Sequence, residues 1–265
     1  FRKIKKIMKK QILSILFTLS FLISFSQLVS YEAIWVKDGM DDSYVEVEEF
    51  WSKIKQQAIA DDLQDFWVVF KLEKDSENED DKMKPDYIVM NGYKDSLQRS
   101  KSSNWQELGK KVYKKELSKK KFEAKWTLGS QVRKETRRFL VERLDNSVWS
   151  PLAEGKKARF LFNGFKALND DYENFEMQYF KENHNKQIEA GSRAWWEFNK
   201  VLSRSENANQ EVTHFTMDVI DADYQWSNDN EPSFTDKMMS KYGVASRERV
   251  IGDRMMLLFS QFQQN

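Results

Sequence analysis

The chain has 265 residues, a formal charge of +1 and no cysteine, and 40% of its residues are hydrophobic and 14% aromatic. That apolar content supports a core and excludes global disorder, while nine Gly and three Pro are too few for a many-turned β-sandwich or propeller. Without cysteine there is no disulfide, no thiolate nucleophile and no cysteine-linked lipid.

Residues 1–26 have the layout of a cleaved signal peptide. Arg2, Lys3, Lys5, Lys6, Lys9 and Lys10 form a basic start, Ile12–Phe25 is an apolar run, and Ser24 and Ser26 put small residues before a cleavage point. The apolar core of 14 residues is short of the ~20 that span a bilayer. Removing the segment takes away six positive charges and leaves a formal charge of −5, so a global field for nucleic acid is absent. The expectation is a periplasmic or secreted bacterial protein with no membrane span after cleavage.

A first α+β repeat is expected over residues 27–145. Glu32–Lys37 is a short β-rich run ended by Gly39. Asp41, Asp42 and Ser43 offer helix N-caps, with Ser43 and Glu46 spaced as a capping box. Tyr44, Val47, Phe50, Trp51, Ile54 and Ala58 then form one apolar helical stripe. Phe66–Leu72 and Tyr87–Tyr93 read as strands around a charged loop. A lysine-rich helix follows from Trp105 to about Trp126, and Arg138–Leu144 alternates as a fourth strand. The lysines suit a solvated face, or an anionic envelope surface.

Residues 146–157, with Pro151 and Gly155, read as a linker, and residues 158–265 as a second repeat. The predicted order is strand Ala158–Phe165, helix Asp170–Ala190 ended by Gly191, strand Ala194–Leu202, polar loop, strand Val212–Ile220. Asp170 and Glu173 are again spaced as a capping box. Setting Tyr44 on Tyr172 puts Lys53 on Lys181; after one inserted residue Ile59 meets Ile188, Trp67 meets Trp196, and Lys71 meets Lys200. Met90 meets Met217, and Gly129–Arg133 matches Gly243–Arg247 ahead of each final strand.

Two such strand–helix–strand–strand–helix–strand units are ferredoxin-like (split βαβ) repeats, whose aromatic sheet faces need covering. The layout resembles the dimeric α+β barrel superfamily, fused into one chain as a pseudo-dimeric α+β barrel. It is also similar to exported bacterial proteins with the same basic–apolar start and aromatic-rich halves. The resemblance implies a barrel lumen able to hold a small ligand. Phe215, Met217 and Val219 are then expected to face the helices, leaving His214, Thr216 and Asp218 to face inward, with Tyr87, Val89 and Asn91 as their counterparts. Asn163 adds a polar group, and Trp35, Trp67 and Trp196 would form the walls.

His184 and His214 lie too far apart, and without carboxylates at ligand spacing, for a metal site; no cofactor is implied. Some relatives of this barrel are cofactor-independent monooxygenases, which would make His214 or Asp218 the proton-handling group. The haem-handling branch uses a histidine on its second helix, and the matching segments here, near Trp105–Trp126 and Ser233–Tyr242, contain none. Three readings follow: a binder of a small apolar or aromatic ligand, a monooxygenase-like enzyme, or an envelope protein acting through its lysine-rich helix.

Overall fold

The computed structural model describes residues 28–75, 77–101, 104–224 and 231–262, so the expected signal segment lies outside the described residues. The strands are β1 (Leu28–Val36), β2 (Phe66–Leu72), β3 (Tyr87–Tyr93), β4 (Arg133–Asn146), β5 (Ala158–Ala167), β6 (Arg193–Arg204), β7 (His214–Asp221) and β8 (Arg247–Phe262). Their hydrogen-bonded order is β1-β3-β2-β8-β5-β7-β6-β4, closed as an antiparallel barrel, so the fold is mixed α+β. Two compact units divide the chain. The first takes residues 28–140, 203–208 and 256–262, and the second takes residues 141–202 and 209–255.

In the first unit β3 lies between β1 and β2, with Leu28 opposite Tyr93 and Phe66 opposite Gly92. Gly92 is required there: a Cβ would fall 2.0 Å from the Phe66 ring. Helix α1 (Asp41–Ala60) packs its stripe on the sheet, and Tyr44 and Val47 join Ile34, Trp67, Val69, Tyr87 and Val89 in one core. The short helices α2 (Glu79–Lys82) and α3 (Ser96–Lys101) flank β3. The lysine-rich stretch is two helices, not one: α4 (Trp105–Tyr113) and α5 (Lys119–Val132), the second capped by Ser118. Their aromatics Tyr113 and Phe122 pack on Phe50 and Ile54 of α1, while Lys110 and Lys111 pair with Glu107 and Asp61 near the surface.

In the second unit β7 lies between β5 and β6. Across it run α6 (Tyr172–Asn174), a π-helical turn (Phe175–Phe180) and α7 (Lys181–Glu189), ended by Gly191 at φ +71°. Helix α8 (Phe234–Ala245) starts at a full capping box between Ser233 and Asp236. Phe165, Tyr172, Trp196 and Phe198 form the core between these helices and the sheet.

Neither expected capping box at the first helix of a unit forms. Helix α1 begins at Asp41, ahead of Ser43, with Met40 as an uncapped start, and Asp171 likewise precedes α6 without a side-chain cap bond. Asp41 and Glu173 are drawn to the sheet instead, Asp41 by Lys71 and Tyr87 and Glu173 by Lys200 and His214, while Glu46 stays exposed. Among the described residues no helix is long and apolar enough to cross a membrane.

Candidate functional site

Each unit buries polar groups between its first long helix and its sheet. In the first, Asp41 accepts from Tyr87 Oη at 2.5 Å and from Lys71 Nζ at 2.5 Å. Deeper, the carboxylate of Glu48 accepts from Arg133 at 3.2 Å, and the Arg133 guanidinium lies 5.7 Å from the Tyr44 ring. Burial pushes the Glu48 carboxyl and the Tyr44 hydroxyl above their ordinary pKa values. At the far end Lys55 Nζ donates to Asn91 Oδ1 (2.8 Å) and Gln64 Oε1 (3.1 Å), and it sits 3.8 Å from the Trp105 ring centroid. Burial lowers its pKa to about 8, against the opposing pull of the Glu32 and Glu48 carboxylates.

The second unit presents the same three positions with other side chains. Glu173 accepts from Lys200 Nζ at 2.6 Å and stands 3.2 Å from His214 Nε2, whose other ring nitrogen lies 2.9 Å from Thr213 Oγ1. Buried Glu176 forms an ion pair with Arg247, whose guanidinium lies 5.8 Å from the Tyr172 ring. At the far end Arg193 is paired with Asp218, Arg193 Nε donates to Gln187 at 2.9 Å, and Asn163 Nδ2 donates to Thr216 (3.3 Å) and Asp218 (3.4 Å). His184 lies over Trp196 at 5.3 Å between ring centroids. Burial, then the Arg193 charge, holds the His184 pKa well below its ordinary value; burial also lowers that of His214, with Glu173 opposing.

Position by position, Tyr172 and Glu176 lie 128 residues after Tyr44 and Glu48. His184, Arg193, Trp196 and Lys200 lie 129 residues after Lys55, Gln64, Trp67 and Lys71. The one-residue step falls in or just after the π-helical turn Phe175–Phe180, the geometry by which a helix absorbs an extra residue. The Lys55–Gln64–Asn91 set thus corresponds to His184–Arg193–Asp218.

These contacts reverse one expectation. His214, Thr216 and Asp218 face the helices, whereas Phe215 faces away and stacks on Phe162 at 4.9 Å. Tyr87 and Asn91 likewise face α1. Alternation along a strand leaves two possible assignments, and here the helix layer supplies Glu173, Arg193, Asp41 and Lys55 as partners, so the polar set turns toward it. The structure brings Asn163, Asp218 and Trp196 together. Trp35 stands apart from Trp67: its indole donates to Met83 O at 2.9 Å and carries Arg137 at 4.3 Å, while Trp67 stacks on Phe259. Among the described residues no three His, Asp or Glu side chains stand close enough to hold a metal.

The second unit also has a cavity of about 290 Å³, bounded by Trp149, Pro151 and Leu152 on one side and Ala158, Ala194 and Val219 on the other. At its rim Lys156 pairs with Asp221 at 2.7 Å. Sequence reasoning passed over these residues by taking 146–157 as a linker. The signal was present in Val148, Trp149, Pro151, Leu152 and Ala153, a short apolar cluster.

No family model and no curated protein matches the sequence. Solved structures do. A Fusobacterium nucleatum protein with a proposed monooxygenase activity has a TM-score of 0.55 at 12% identity, over 90% of this chain and 95% of that one. A Lactobacillus acidophilus protein with the same proposed activity gives 0.52 at 7% identity, over 90% and 97%. An anthrone oxidase-like protein gives 0.53 at 8% identity, over 91% and 94%. The fold is that of the dimeric α+β barrel. Identities this low carry the likeness of fold and nothing of the chemistry.

Proposed function

We propose that this α+β barrel chain is a tandem of two copies of one unit, and that the second copy binds a small apolar or aromatic molecule. The cavity under residues 149–156 carries the reading. Its volume of about 290 Å³ suits a compact ligand, and its walls are mainly an indole, a proline and aliphatic side chains, with Glu154 and Lys156 also lining it. The matched Tyr–Glu–Arg sets, Tyr44–Glu48–Arg133 and Tyr172–Glu176–Arg247, support the duplication, because the same buried groups recur in the same order. Titration with two-ring aromatic compounds, followed by tryptophan emission, tests the binding. A saturable change is expected, since Trp149 is in the wall; no change with any such compound overturns the reading.

A second reading is oxygenation of an electron-rich aromatic compound without a bound cofactor. It is favoured by the proposed activity of two of the similar structures and by the pairing of His214 with Glu173, a carboxylate positioned to stabilise an imidazolium after proton transfer. Dioxygen uptake with hydroquinones and phenols is expected to fall at least tenfold in His214→Gln. Equal uptake by the two proteins removes His214 from the chemistry.

A further inference from the structure

The sheet face of the second unit turned away from its helices carries Phe162, Phe215 and Met217, and also buried polar groups whose hydrogen-bonding capacity is not used among the described residues. Arg143 and Glu197 form an ion pair whose side chains are 5% and 3% exposed, through Nε at 3.0 Å and a terminal nitrogen at 2.7 Å. The other terminal nitrogen of Arg143 has no partner among the described residues. Asn199 is wholly buried, and neither its amide oxygen nor its amide nitrogen has a partner among the described residues.

The first unit shows what the fold does at these positions when nothing polar is needed. Val68 and Phe70 occupy the places of Glu197 and Asn199, being opposite Met90 and Ile88 as those are opposite Met217 and Phe215. Counted from Arg133 and Arg247, Leu257 occupies the place of Arg143. An apolar filling is thus available, and unpaired polar groups in its stead are costly to bury unless something meets them.

The cavity wall shares this face through Val219, which alternation along β7 places on the side of Phe215 and Met217. Glu197 is opposite Met217, two residues along β7, and Asn199 opposite Phe215, two further. At about 3.3 Å per residue these levels lie about 7 and 13 Å from the cavity wall. Met217, an unbranched and adaptable side chain, stands between.

We propose that Arg143 and Asn199 form the polar end of the binding site, and that its ligand is a flat apolar molecule bearing one neutral oxygen acceptor, such as an aromatic ketone or quinone. Glu197 cancels the charge of Arg143, so the free N–H groups favour a carbonyl oxygen over a full anion. The inference rests on ligand binding in the cavity and names the class of ligand.

Calorimetric titration with 2-acetylnaphthalene and with 2-ethylnaphthalene, which keeps the shape and lacks the carbonyl, tests it. The ketone is expected to bind about tenfold more tightly to the wild-type protein. Asn199→Leu is expected to lose most of that preference while holding the hydrocarbon as before. Independently of whether the variant folds, the side-chain amide resonance of Asn199 in the wild-type protein is expected to shift with the ketone and not with the hydrocarbon. Equal affinities with an unmoved amide overturn the inference and leave the cavity reading standing, with Asn199 meeting a buried water only. A preference that survives in Asn199→Leu overturns the assignment of the residue. Binding of neither compound overturns both.

Discussion

His184 and Lys55 occupy matching places on their helices, and burial acts on both in the same direction, disfavouring the charged form. For His184 the consequence can be measured. Its folded pKa lies below the ordinary value, so as pH falls through about 6.5 the unfolded chain takes up a proton first. The stability contributed by the neutral ring is therefore complete above that pH and is lost below it. His214 acts in the same direction. Urea unfolding between pH 7 and pH 5 is expected to show a steeper loss in the wild-type protein than in His184→Asn, by at most about 1.4 kcal/mol per pH unit. Identical slopes would mean that the ring is already wet in the folded state.

Single residues were the hardest scale to read from sequence. The strand positions of Tyr87, Asn91, His214 and Asp218 were legible from alternation, but their direction was not. Direction depended on Asp41, Glu173, Lys55 and Arg193, whose partners lie 25 to 46 residues away in the chain. Asn199 gave no sign at all, because a buried amide and an exposed one look alike in an alternating strand.

At the scale of elements, the apolar period carried most of the information. Tyr44, Val47, Phe50 and Ile54 all proved to be the buried stripe of α1, and β2, β3 and β7 fall within two residues of their expected bounds. The expected capping boxes fail for different reasons: the first helix already begins at Asp41, which pairs with Lys71, and in the second Glu173, at box spacing, is the ion-pair partner of Lys200. The lysine-rich stretch was read as one helix because its break, Lys114 to Ser118, contains no Gly or Pro.

The π-helical turn was visible only as an inserted residue between matching helices. If it does absorb that insertion, deleting exposed Gln178 leaves a plain α-helix with His184 still over Trp196. The deletion is expected to lower Tm by less than about 8 °C, the equivalent of about 2 kcal/mol in a chain of this size. Failure of the shortened chain to fold would show that the turn holds the following residues in register by itself.

At the scale of the whole molecule, the order of strands and helices was enough to indicate an α+β barrel, and the solved structures of like fold agree. Local order was legible because each strand and helix announces itself through short-range periodicity. The cavity was not, because it is made by a segment without periodicity, Trp149–Lys156, lying across the ends of strands distant in sequence.

Ala158 is exposed at the first position of β5 and borders the cavity, so a large side chain there fills the space without disturbing the core. Calorimetry of Ala158→Trp beside the wild-type protein, each with the same two-ring aromatic ligand, is therefore the most direct measurement. Binding in the wild-type protein and a loss of at least tenfold in the variant, at unchanged Tm, is the predicted result. Equal affinity in the two proteins would contradict the account, because the ligand would then be held somewhere other than beneath Trp149.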